Sequence, residues 1–192
     1  MVDFAGQLQP SDPATALRML WDRQAITDIL TRYCHAIDRK DFDLLATCFH
    51  PDSITAHGPV HGPSTEFIAL ARQMTATLRF TIHQISNVTM ELDGDTARSE
   101  TYVMAYHGLP ASVEGEYYFE LTGEERIAVI GGRYVDRFER RHGSWRIAHR
   151  TGIHDYLEYW MPDHGRFYES AEYAARARGE RDPGYALTRG WR

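Results

Sequence analysis

Near residue 81 the spacing of apolar side chains changes from a helical repeat to a two-residue repeat, and that change sets the architecture. Upstream, Leu17, Leu20, Trp21, Ile26, Ile29, Leu30, Tyr33 and Ile37 recur at helical spacing. The run opens at Ser11-Asp12-Pro13, a capping side chain followed by a proline suited to the first turn. It predicts one amphipathic helix reaching about Asp38. A short second helix is expected over 42–49, with Leu45 and Phe49 on one side and His50-Pro51-Asp52 ending it. Residues 53–57 read as a short strand, and the Gly-Pro-Val-His-Gly-Pro after them as a turn. Ser64 is expected to cap a helix carrying Phe67, Ile68, Ala71 and Met74.

Beyond Thr81, Ile82, Val88, Met90 and Leu92 share one parity, and Asp93-Gly94-Asp95 reads as a hairpin turn into a strand over 96–107. Residues 117–121 and 127–130 read as strand ends. Another hairpin is expected about His142-Gly143, pairing 133–141 with 144–153. Helices first and antiparallel strands after give an α+β class, a curved antiparallel sheet packed on N-terminal helices. The chain divides into a leader over 1–12, a domain over 13–155 and an aromatic-rich extension over 156–192. The extension holds Tyr156, Tyr159, Trp160, Tyr168, Tyr173, Tyr185 and Trp191, with a helix expected near 170–178. Such a composition suits wrapping over a neighbour or a pocket mouth better than forming a second domain.

Several function classes drop out on composition. A chain of 192 residues is long enough to bury its own core without a disulfide or metal staple. The net charge of −6 and scattered basic residues argue against a nucleic-acid partner. No apolar run approaches the roughly 20 residues of a membrane span, and the start MVDFAGQLQPSDP lacks the features of a secretory signal. With only Cys34 and Cys48, neither a disulfide framework nor a thiolate zinc site is expected, and the predicted location is cytoplasmic. Lys40 is the only lysine, so Schiff-base chemistry is not expected. There is no GxGxxG, GxxxxGK, GxSxG or HExxH, and no cofactor is expected. His50, His57 and His61 lie in a Pro/Gly-rich region without ligand spacing and read as surface-loop histidines, while His149 reads as half-buried in the last strand. No metal site is expected.

Four side chains remain as candidates for chemistry. Asp38 ends the long apolar helix face, where the bland alternative is a carboxylate in water. His83, in TIHQISN, shares its face with Ile85, and could instead be a core histidine bonded to a carbonyl. Tyr33 lies five residues before Asp38 and could be core alone, and His107 ends ETYVMAYH on the parity of Val103 and Ala105.

Together, RYCHAIDRKDFDLLATCFHPD, TIHQISNVTMELDGDTA and IGGRYVDRFERRHGSWRIAHRTG resemble the SnoaL-like branch of the nuclear transport factor 2-like superfamily, over about residues 16–155. The resemblance implies a cone-shaped α+β barrel. Within the branch the pattern is similar to bile-acid 7α-dehydratase, scytalone dehydratase and hexachlorocyclohexane dehydrochlorinase, cofactor-free lyases that pair a helix-end aspartate with a strand histidine. By that resemblance Asp38, His83 and Tyr33 are the catalytic residues, and His107 and Tyr134 contact substrate. His107 or Arg133 is expected to stabilise developing negative charge, with an exposed strand residue as the equal alternative for the arginine. Ile37 stands where the scytalone enzyme has a tyrosine, and Tyr134 where it has an asparagine, so scytalone is not the expected substrate.

A carboxylate on one ring nitrogen fixes a histidine's tautomer and stabilises the imidazolium formed on proton abstraction. The expected function is therefore a dehydratase-type, cofactor-independent lyase. It would eliminate water or another small leaving group from a small hydrophobic molecule containing an alicyclic or aromatic ring. A retro-aldol C–C lyase releasing an aldehyde and a ketosteroid-type isomerase start from the same abstraction. Two non-enzyme alternatives share the fold: a hydrophobic-ligand carrier, and a structural subunit resembling the small subunits of ring-hydroxylating oxygenases. The resemblance also implies a homotrimer.

Overall fold

The structure is a computed structural model that describes residues 12–113 and 119–162, with positions 182 and 184. Helix α1 (Pro13–Asp38) starts as its sequence demands: the Asp12 carboxylate accepts from the backbone N–H groups of Ala14 and Thr15, and Pro13 occupies the first turn. The helix stops where Lys40 turns left-handed (φ 57°) and the Asp41 N–H closes back on the Ala36 carbonyl. Only the second half of the apolar stripe is buried, through Ile26, Ile29, Leu30, Tyr33 and Ile37. Leu17, Leu20 and Trp21 are exposed by 67, 65 and 74%.

Helix α2 is shorter than expected, Phe42–Thr47, because Phe49 already begins strand β1 (Phe49–His57). His50-Pro51-Asp52 does not end a helix; it lies in β1, at the irregularity between Phe49 and Ile54 where proline costs no ladder hydrogen bond. Only Gly58 and Pro59 form the turn that follows, and Val60–Pro63 is a four-residue edge strand, β2, paired antiparallel with β1. Helix α3 (Ser64–Thr75) is not capped by Ser64. That hydroxyl turns inward to those of Ser53 and Thr55, at 2.8 and 2.7 Å, and has no reach left for the helix N–H groups.

Strands β3 (Thr81–Asp93), β4 (Thr96–Leu109), β5 (Arg126–Arg141) and β6 (Ser144–Trp160) complete the fold. Six strands run β2-β1-β6-β5-β4-β3 in a curved sheet that does not close; β1 and β6 are parallel and every other neighbour pair is antiparallel. Gly94 (φ 59°) turns β3 into β4, and His142 and Gly143 (φ 52° and 78°) form the two-residue turn between β5 and β6.

One expected parity changes midway. Asn87 (φ 44°) is an extra residue between the register pairs Ser86–Tyr102 and Val88–Thr101. A single inserted residue exchanges the two faces of a strand. Val88, Met90 and Leu92 therefore point inward as expected, whereas Ile82 is exposed and Thr81, His83 and Ile85 take the inner face.

Strand β6 runs to Trp160, pairing with Ile127, so residues 156–160 extend the sheet rather than beginning a separate segment. Residues 127–130 lie inside β5, and 119–121 are not in a strand. The leader up to residue 11, positions 117 and 118, and the expected helix near 170–178 lie outside the described residues. The core joins Ile26, Leu30 and Ile37 of α1 to Leu44 and Leu45 of α2, Phe67 of α3, and Val103, Phe138 and Ile147 of the sheet. Asp22 ties α1 to the β5–β6 hairpin, accepting from Arg140 at 2.6 Å and from the Trp145 indole at 2.8 Å. Both cysteines are free and buried, and burial pushes each thiol up to about 12. Among the described residues no helix is long and apolar enough to cross a membrane.

Candidate active site

The end of α1 delivers Asp38 to the start of β3. Its Oδ2 accepts the His83 backbone N–H at 2.8 Å, and its Oδ1 lies 2.7 Å from His83 Nδ1. The Thr81 hydroxyl donates to the same Oδ1 at 3.4 Å. An ionised carboxylate only accepts, so Nδ1 carries a ring proton, and in the neutral imidazole Nε2 then keeps a lone pair. Both side chains are nearly enclosed, His83 at 7% and Asp38 at 12% exposure.

The imidazole borders a cavity of about 70 Å³ between the helices and the inner face of the sheet. Apolar walls come from Ile37, Leu70, Met74, Val103 and Ile130. Beside His83 stands His107, ring to ring at 5.5 Å and perpendicular, with Phe119 beyond it. Tyr33, Tyr134, Phe67 and His57 form another part of the wall, with Tyr33 and Tyr134 edge-on at 5.5 Å. The Arg150 guanidinium lies 4.1 Å from the centre of each tyrosine ring. Its Nε and Nη2 each donate to Asp136 at 2.7 Å, and both side chains are fully buried. Burial opposes the arginine's charge, but Asp136 more than compensates and holds it protonated. Arg150 Nη1 and the Tyr33 hydroxyl have no hydrogen-bond partner among the described residues. Burial pushes Tyr33 above the ordinary phenol range, with Arg150 pulling the other way.

The SnoaL-like domain family matches residues 18–151 of the chain, which takes in α1 from Arg18 onward, α2, α3 and the sheet as far as Thr151. The chain belongs to the SnoaL-like family. The uncharacterized protein Rv2910c of Mycobacterium tuberculosis is 29% identical over 133 residues, covering 68% of this chain and 83% of its own length. Among solved structures, the hexachlorocyclohexane dehydrochlorinase LinA-type3 of Novosphingobium barchaimii superposes with a TM-score of 0.62 at 21% identity, over 80% of this chain and 98% of that one. The Kfla4162 protein of Kribbella flavida superposes at 0.61 and 24%, over 73% and 95%. At such identities the structural likeness speaks for the fold alone.

In this SnoaL-like domain His83, Tyr33, His107 and Tyr134 line one cavity, and Asp38 holds His83 from behind. Arg133 does not line it. The inward parity of β5 passes through Tyr134, Asp136 and Phe138, so the neighbouring Arg133 must face outward. There it binds Glu100 at 3.0 Å and Asp155 at 3.1 Å on the outer surface. Sequence reading also missed His57, His154, Arg150 and Asp136. His57 is no loop residue: it ends β1 and stacks on Phe67 at 4.9 Å. The signal for the ion pair was a charged residue on an apolar parity of β5, but a register irregularity between Arg137 and Phe138 hides its partner.

Burial lowers the His107 pKa to about 3, with His83 adding to the effect, so the ring is neutral at physiological pH. An unfolded chain protonates this histidine near 6.5, whereas the native state does so only near 3. Between those values the unfolded state binds more protons, and stability must fall as pH falls. The slope from His107 approaches about 1.4 kcal/mol per pH unit in the middle of that window. Urea midpoints measured at pH 7 and pH 5 should differ accordingly, and His107→Phe should narrow the difference; an unchanged difference would contradict a buried neutral imidazole.

Proposed function

We propose that the chain is a cofactor-independent lyase of the dehydratase type, with His83 as general base and Asp38 as the carboxylate that orients it. The observation that carries this reading is the 2.7 Å contact between Asp38 Oδ1 and His83 Nδ1 at the wall of a largely apolar cavity. His83 Nε2 takes a proton from carbon next to an activating group, and the electron pair left behind forms a double bond as the leaving group departs. Asp38 stabilises the imidazolium. Tyr33 and the neutral His107 orient the substrate oxygen, and Tyr134 shapes the wall around a hydrophobic ring. The likeness to a dehydrochlorinase fold supports the reading without deciding the leaving group.

The test is a panel of alicyclic and aromatic β-hydroxy ketones and chlorinated rings, followed by mass spectrometry for loss of water or HCl. Wild-type protein should turn over at least one member, and His83→Ala should lower its rate by about 10²–10⁴-fold without unfolding. Unchanged turnover by His83→Ala would sink the base assignment. Tight binding across the panel with no turnover would make the chain a carrier instead.

A further inference from the structure

An elimination needs an acid as well as a base. Once His83 has taken the carbon-bound proton, the leaving oxygen departs as hydroxide unless something protonates it. Tyr33 is poorly suited, because burial keeps its proton in place. A different pair of side chains on the same cavity meets the need. His57 ends β1, and His154 lies in β6, beyond the register pair His57–Gly152. Their Nε2 atoms are 3.3 Å apart, with rings at 75° and centres separated by 5.3 Å. At that distance one nitrogen donates and the other accepts. Both rings line the cavity, but His154 is also open to solvent.

The seat of His57 is specific. Its ring stacks on Phe67 and lies over Gly152, where a Cβ would come within 2.7 Å of it. Its Nδ1 is buried with no hydrogen-bond partner among the described residues. Burial above all disfavours a second proton on the ring, and the titratable and charged groups acting on it, His154, Arg150, His83 and His107, all add to that effect. His57 is therefore neutral, and a neutral imidazole delivers a proton only while taking another.

We propose that His57 and His154 form a proton relay that carries a proton from solvent to the leaving group. The inference rests on the elimination reading above. The C–H bond breaks, its proton goes to His83 Nε2, and its electron pair becomes the new π bond. The C–O bond breaks with its pair on oxygen, which takes the proton from His57 Nδ1 and leaves as water. In the same movement His57 Nε2 takes the proton from His154 Nε2 while His154 Nδ1 takes one from solvent, so neither ring becomes an anion. Solvent accepts the proton held by His83, and the pair resets when water entering the emptied cavity protonates His57 Nδ1, His57 Nε2 returns its proton to His154 Nε2, and His154 Nδ1 releases one to solvent. His57 is the catalytic acid, and His154 acts through it.

Two measurements on the full chain test the relay. In nitrogen-15 spectra of the histidine rings at neutral pH, His57 should carry its proton on Nδ1 and accept at Nε2 from His154. His154→Phe should shift the His57 Nε2 resonance and alter the tautomer balance. A wild-type His57 protonated at Nε2, or one indifferent to His154→Phe, would overturn the relay. On a substrate found in the panel, His57→Phe should lower kcat by about 10²-fold or more, and His154→Phe by at least about tenfold. The KM should stay within about twofold for His154→Phe, exogenous imidazole should restore rate, and a curved proton inventory should become linear. If His154→Phe keeps wild-type kcat while His83→Ala is inactive, the relay fails and the base assignment stands. Turnover that survives His83→Ala would instead remove the base assignment.

Discussion

Replacing Asp136 by asparagine should destabilise the protein by about 3–5 kcal/mol, the usual cost of leaving one member of a buried ion pair without its partner. Arg150 is fully enclosed, and two of its nitrogens are bound by the one carboxylate. Water cannot take over from that carboxylate. Stacking between Tyr33 and Tyr134 at 4.1 Å favours the charge but adds far less than a full counter-ion. Since a domain of this kind is stable by about 5–15 kcal/mol in total, the variant should show a large drop in urea midpoint. The double change Asp136→Leu/Arg150→Met removes both charges and should recover most of the loss. By contrast, Glu100→Gln at the exposed Arg133 pair should cost at most about 1 kcal/mol. A loss below about 1 kcal/mol for Asp136→Asn would show that Arg150 does not depend on its partner.

This ion pair also marks where sequence reading stops. The period change at Thr81, the Asp12-Pro13 start and the turns at Gly94 and His142-Gly143 are local signals, and each is realised where the sequence puts it. Asp38 and His83 were legible because one ends an apolar helix face and the other shares a strand face with Ile85. The face itself depended on the bulge at Asn87, which a simple parity count extends through without a break. Bulges hid the rest too. Asp136 meets Arg150, and His57 meets His154, only after irregular registers in β1, β5 and β6 have shifted the pairing. Register of that kind is decided by packing against distant strands, which no short window of sequence contains. Arg133 was misplaced for a simpler reason: it and Tyr134 are adjacent on one strand, so only one of them faces the cavity.

If Asp38 acts by fixing a tautomer, Asp38→Asn should be the more damaging of its small substitutions. The side-chain oxygen of an asparagine at 38 would keep accepting the His83 backbone N–H, now 2.8 Å from Oδ2. Its amide would then face Nδ1, now 2.7 Å from Oδ1, with a donor where an acceptor had been. Nδ1 must answer with its lone pair, and the ring proton moves to Nε2, the nitrogen that is needed as base. Presenting the wrong tautomer costs about 10⁴-fold in a base oriented this way. Asp38→Ala loses the same negative charge but leaves Nδ1 free to carry the proton part of the time. The alanine variant should therefore retain more activity than the asparagine variant, and the difference measures the tautomer effect apart from the charge. Nitrogen-15 ring spectra should show His83 protonated at Nε2 in Asp38→Asn and at Nδ1 in wild type. Activity of Asp38→Asn within about tenfold of wild type, on a substrate that requires His83, would show that the carboxylate does not set the tautomer.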